Sequence, residues 1–129
     1  MNTAIVMLGS NIDQNRNLNR AKERLADFFE ILDESTMLIT EPIGRKYTTK
    51  FHNQAIKVIS DDSAKEVARL FKQIENEMGR SALTSQKAEV PIDIDLIFWN
   101  NIQQRSDYDK FPFVRQCVDE IKDRVEFIG

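Results

Sequence analysis

With 41% hydrophobic and 30% charged side chains in 129 residues, the chain has the composition of an ordinary globular domain, long enough to bury a core. A net charge of −3 excludes a general attraction to nucleic acid or anionic membrane, so an anionic ligand must be met by local cations or by metal ions. One cysteine, Cys117, excludes an internal disulfide and suits a reducing compartment, and no apolar run reaches the length of a signal peptide or membrane span; a cytoplasmic monomer is expected.

In chain order, Ala4-Ile5-Val6-Met7-Leu8 is an apolar run that turns at Gly9-Ser10-Asn11 and reads as a buried strand. Leu18, Ala21, Leu25, Phe28 and Leu32 recur at helical spacing, which predicts an amphipathic helix capped by Asn11 or Asp13. Ser35 to Thr40 reads as a second strand, broken by Glu41-Pro42-Ile43-Gly44 and followed by a basic loop, Arg45 to Lys50. Phe51 to Ser60 is a third strand, forming a hairpin with the second. Ser63-Ala64-Lys65-Glu66 has the form of a capping box, and Val67, Leu70, Phe71, Ile74 and Met78 continue a helix that stops at Gly79.

Arg80 to Glu89 carries no hydrophobic pattern and is read as a loop. Val90 to Trp99 is a strand, and Asn100 to Lys110 a polar connection. Pro112 suits a first helical turn, and Val114, Cys117, Val118, Ile121 and Val125 mark a last amphipathic helix. Strand, helix, strand, strand, helix, strand, helix is the split βαβ order. The predicted class is α+β, ferredoxin-like, an antiparallel sheet covered by helices in a single domain spanning 1–129.

The Val90–Trp99 run holds the chemistry. Ile92, Ile94, Leu96 and Phe98 alternate with Asp93, Asp95, Ile97 and Trp99, as expected of a strand with one face in a core. Residues two apart on a strand point the same way, roughly 6–7 Å apart at Cα. Asp93 and Asp95 can therefore converge on a hard cation, with magnesium favoured because only oxygen ligands are offered. Two acids on a half-exposed strand face are a simpler account of the same residues. Aspartate is a poor strand former, however, and its neighbours here are Ile, Leu, Phe and Trp, which argues for use.

Other chemistries lack parts. There is no glycine-rich phosphate loop and no dinucleotide fingerprint. His52, the only histidine, sits in the third strand without cysteines nearby, and Cys117 falls on the apolar stripe of the last helix, so covalent catalysis has no candidate.

Five short pieces remain, in this order: Gly9-Ser10-Asn11, Thr40-Glu41-Pro42-Ile43-Gly44, Phe51-His52-Asn53, Glu75 with Gly79-Arg80, and Asp93-Ile94-Asp95-Leu96. Together they resemble the 6-hydroxymethyl-7,8-dihydropterin pyrophosphokinase family, from Ala4 to about Ile97 and again around Phe113. The resemblance implies a ferredoxin-like core, ATP as co-substrate, two magnesium ions, and transfer of pyrophosphate to the hydroxymethyl of a reduced pterin in folate biosynthesis. It implies Asp93 and Asp95 as metal ligands, catalytic with Arg80. It also implies Glu75, Arg80 and Leu96 beside the nucleotide, and Thr40, Ile43, Phe51, Asn53 and Phe113 around the pterin. Two aromatic rings suit a flat heterocycle, and a carboxamide can read its edge with both of its groups.

The segment before the metal strand departs from the family. Val90 and Ala82 stand where the family has arginines, Lys87 where it has a tryptophan, and the usual His-Pro or His-Tyr element after Trp99 is missing. Arg45, Lys46, Lys50, Lys87 and Lys110 are the candidates to supply cations instead. The alternative to an active enzyme is a catalytically impaired relative that binds a pterin-like ligand or a protein partner. A purely structural interaction module is the third reading.

Overall fold

The computed structural model describes residues 1–124; Val125, assigned by periodicity to the last helix, lies outside them. At the middle of its antiparallel sheet is β1 (Asn2–Ser10), flanked by β4 (Phe51–Ser60) and β5 (Asp93–Trp99). Two short strands, β2 (Glu30–Glu34) and β3 (Leu38–Thr40), pair in succession with the outer side of β4. On the other edge, β6 (Ile102–Gln103) pairs only with Phe98 and Trp99. The order β2-β4-β1-β5-β6, with β3 continuing the β2 edge, is the ferredoxin-like arrangement.

The Ala4–Leu8 run is apolar throughout because β1 is covered on both faces. Ala4, Val6 and Leu8 face α1 (Gln14–Phe28) and α2 (Ala64–Glu77), through Leu18, Leu25, Phe71 and Ile74. Ile5 and Met7 face the other way, against Val114, Cys117, Val118 and Ile121 of α5 (Pro112–Ile121). Each fully buried Phe, Leu or Ile of this kind is worth about 1.5–3 kcal/mol of transfer free energy. Ser63 caps α2 by accepting the Glu66 N–H, and Gly79 ends the helix region at φ +103°, a conformation glycine adopts without strain. Among the described residues no helix is long and apolar enough to cross a membrane.

Several predicted boundaries move. The first helix ends at Phe28, and Leu32 lies in β2 instead of on the helix. Phe29 is extended, and the following residues gain backbone partners along β4 that a longer helix would forgo. Asp13 occupies the N-cap position of α1, and its carbonyl accepts the Asn17 N–H at 2.8 Å, but it is left-handed and its side chain makes no cap bond; the Asn11 side chain turns to Ala88 and Val90. Of Ser35–Thr40, only Leu38–Thr40 is strand. Ser35 is a buried joint whose N–H donates to the Ala55 carbonyl while its Oγ accepts the Ala55 N–H.

The Arg80–Glu89 loop contains a short α3 (Ala82–Gln86), started by reciprocal bonds between Ser81 and Thr84. The polar connection after β5 holds β6 and a one-turn α4 (Asp107–Lys110). The Val90–Trp99 strand pairs only from Asp93 onward. Opposite Ile5 and Val6 its register shifts, so that Ile97 and Phe98 both enter the α5 core and Trp99 the other. That bulge, with cover on both faces, replaces the single-faced alternation expected from the sequence.

Candidate functional site

Gly9 and Met7 of β1 stand opposite Asp93 and Asp95 of β5. Because, among the described residues, β6 pairs only with Phe98 and Trp99, no described strand covers the outer edge of β5 along Asp93–Leu96. Two cavities meet there, one on each side of the strand, and the Asp93/Asp95 pair lines both. Their separation in chemistry is sharp.

The first cavity, about 170 Å³, is walled largely by apolar and aromatic groups. Thr40, Ile43, Phe51, Asn53 and Phe113, which the family resemblance assigned to one ligand, all line it. So do Tyr47 and Phe111, which no local pattern singled out. Tyr47 meets the Phe51 ring edge-on at 5.4 Å between centroids, and Phe111 lies 5.9 Å from Phe113. Asn53 is buried, and its Nδ2 donates to Thr40 Oγ1 at 2.9 Å and to the Leu38 carbonyl at 3.2 Å. The amide nitrogen is thus committed within the protein, and Oδ1 is the group left for a ligand, in place of the two expected. A Cβ at Gly9 would stand 3.4 Å from that oxygen, in ordinary van der Waals contact.

The second cavity, about 450 Å³, is lined by charge: Glu75, Arg80, Lys72 and Arg105 with the two aspartates, beside Leu96. Glu75 is the buried anchor. Its Oε2 accepts the Ile94 N–H at 2.8 Å and lies 3.5 Å from Arg80 Nη1, which also reaches Asp93 Oδ1 at 3.1 Å. Burial raises the Glu75 carboxyl above the usual range, and the Ile94 N–H opposes the rise. Asp95 is pushed up to about 8, by burial first and then by the charge of Asp93 beside it, with Arg105 at 3.7 Å as a counterweight. A cation bound beside Asp95 would oppose both effects and favour its charged form.

Among the described residues no group of three or more His, Cys, Asp or Glu side chains could enclose a metal ion. A paired carboxylate set nevertheless fits magnesium, which is commonly held by one or two carboxylates and completes its shell with water and substrate phosphates. Of Arg45, Lys46, Lys50, Lys87 and Lys110, proposed from sequence as replacement cations, none lines the charged cavity, whereas Arg80 does. Lys46 lies with Arg80 and Ser85 along a recess of about 50 Å³, and Lys50 pairs with Glu41 at 3.4 Å. Lys72 and Arg105 stand there instead, and nothing in their flanking residues signalled it. Val90 is buried, its N–H donating to Asn11 Oδ1 at 2.6 Å, and Ala82 begins α3. His52 contacts Asn15 and Cys117 is core, as expected.

The family model described as 7,8-dihydro-6-hydroxymethylpterin-pyrophosphokinase (HPPK) matches residues 5–123. A folic acid synthesis protein of Dictyostelium discoideum is 31% identical over 112 residues, which is 86% of this chain and 17% of that protein. A folate synthesis bifunctional protein of Arabidopsis thaliana is 28% identical over 105 residues, 80% of this chain and 22% of that one. The chain therefore spans about a fifth of the length of these relatives. Among solved structures, a Plasmodium falciparum HPPK-DHPS with pteroate superposes with a TM-score of 0.55 at 16% identity, over 93% of this chain and 36% of that one. An HPPK-DHPS in complex with substrates gives 0.54 at 14% identity, over 79% and 30%. These two carry the fold alone. With a family match running from the first strand into the residues just past the last helix, the chain belongs to the 7,8-dihydro-6-hydroxymethylpterin-pyrophosphokinase family.

Proposed function

We propose that this chain, as one domain, transfers pyrophosphate from ATP to the hydroxymethyl group of a reduced pterin, acting as a cytoplasmic monomer. One observation carries the reading: Asp93 and Asp95 form the wall common to an aromatic cavity and a charged one. A flat, uncharged heterocyclic acceptor suits the first cavity and a polyphosphate the second, so the transferred group would cross at the acid pair. In this reading Phe51 and Phe113 stack on the pterin and Asn53 Oδ1 accepts from its edge, with Thr40 and Ile43 completing the pocket. Leu96 and Glu75 border the nucleotide, and Arg80 places a guanidinium between Glu75 and Asp93, next to the phosphates.

Magnesium ions, held by Asp93 and Asp95, would supply charge neutralisation on the phosphates and in-line positioning. The chain's own part is to exclude water from the aromatic side, orient the hydroxyl, and keep the carboxylates ionised once a cation is present. Buried Val90 favours a second reading, binding without turnover, because no guanidinium can reach the phosphates from that position.

Calorimetry with 6-hydroxymethyl-7,8-dihydropterin and with magnesium–ATP, followed by an assay of AMP release, tests both. Binding of both ligands with AMP release supports the enzyme. Binding of the pterin without AMP release supports the impaired relative. No pterin binding, even with nucleotide present, defeats the pair.

A further inference from the structure

We propose that Arg105 is a phosphate-binding residue held in reserve on Asp95, and that it exchanges from the carboxylate to the polyphosphate as magnesium and ATP enter. The inference rests on the nucleotide reading of the charged cavity and names the residue that completes it.

Arg105 follows β6, and its guanidinium lies 3.7 Å from Asp95 and 3.4 Å from Asp107, both of which also line the aromatic cavity. On the opposite wall Arg80 does the same for Asp93, at 3.1 Å. Each member of the acid pair thus has its own arginine. A divalent cation bound between two carboxylates takes over the charge balance that the arginines supply, since the metal ion and a guanidinium are like charges competing for the same oxygens. Both side chains remain tethered at the rim of the cavity, where the anionic ligand arrives with the metal.

Arg105 suits such an exchange. Its side chain is 45% exposed, so it can move without uncovering a core, and a planar fork can take two phosphate oxygens at once. Its contact with Asp95 is long for a hydrogen bond and constitutes only an ion pair, weak enough to give up. Lys72, on the α2 wall, adds a third cation to the same cavity.

The exchange predicts opposite effects on two ligands, which a merely structural role does not. In Arg105→Gln, Mn2+ without nucleotide, followed by its paramagnetic signal, should bind several-fold more tightly, because a competing cation is gone. Mn2+–ATP should bind at least about tenfold more weakly, the value of one lost charge-assisted hydrogen bond. Affinity for 6-hydroxymethyl-7,8-dihydropterin should stay within about twofold, and Arg105→Lys should recover part of the ATP affinity but not all.

Unchanged Mn2+–ATP affinity, or Mn2+ affinity that is unchanged or falls, overturns the exchange. Parallel loss of pterin and ATP binding with a lowered melting temperature would mean that Arg105 only secures Asp107 and α4, and also overturns it. A parent chain that binds Mn2+–ATP keeps the nucleotide reading intact in either case; one that does not removes both.

Discussion

Glu75 joins the end of α2 to the start of β5, since its buried carboxylate accepts the Ile94 N–H and faces Arg80. Truncation strands a buried donor, so Glu75→Ala should lower the unfolding free energy by about 1–3 kcal/mol in urea titration. Glu75→Gln keeps an acceptor for Ile94 and should cost less than half as much. An equal loss in the two variants would mean that the charge, not the hydrogen bond, is what the site needs. Asp93 behaves oppositely. Its side chain is 42% exposed and its pair with Arg80 is a surface one, worth little to stability. Asp93→Asn should therefore leave the melting temperature within about 2 °C of the parent. It should abolish magnesium-dependent ATP binding, measured by calorimetry with and without EDTA. Retained magnesium dependence would take the metal role away from Asp93.

At the scale of elements, the joint between β2 and β3 is the least ordinary feature. Ser35 closes the ladder with its own hydroxyl, accepting the Ala55 N–H at 2.9 Å, while Gln54 Nε2 donates to the Ser35 carbonyl at 2.8 Å. All three groups are buried, so Ser35→Ala should destabilise the chain by about 1–3 kcal/mol. Its more specific signature is faster hydrogen exchange at the Ala55 amide, with the β1 amides opposite β5 unaffected. Protection at Ala55 equal to the parent would show that water replaces the hydroxyl there. The same edge carries the Asn53–Thr40 bond that sets the amide oxygen toward the aromatic cavity, so loosening this joint should weaken pterin binding as well.

Across the whole molecule, the sheet edge is tied to the chain beyond α5 by Arg124, which donates to Asp33 through Nε at 2.8 Å and Nη2 at 2.5 Å. Those bonds hold the Asp33 carboxyl below its ordinary value, against a smaller opposing effect of burial. The sign follows from linkage: a carboxyl whose folded pKa lies below its unfolded pKa, about 3.9, binds fewer protons folded than unfolded. Its contribution is present above that unfolded value and is lost as pH falls through the folded one. The stability difference between parent and Asp33→Asn should therefore be constant from pH 7 to about pH 5 and shrink toward zero below about pH 4. A difference that grows on acidification would contradict the assignment.

Much of this protein is local and could be read from the chain. Strand β4 matches Phe51–Ser60, α2 begins at its serine cap and closes at Gly79, and α5 opens on Pro112, because each depends on neighbours within a turn or a pleat. The order of five short pieces was enough for the family, and the aspartates on β5 for the acid pair. What the sequence did not contain were relations across space. Ser35 and Ala55 make one joint from two segments, and Asn11 seats Val90 from 79 residues away. A helical period at Leu32 lost to backbone pairing with β4, and the β5 alternation yielded to a bulge once both faces of the sheet were covered. Tyr47, Lys72 and Arg105 carry no local signal, because what makes them part of a site is the cavity wall they share with Asp93 and Asp95. Periodicity reports which face a residue turns to; only the packed sheet decides what stands on the other side of it.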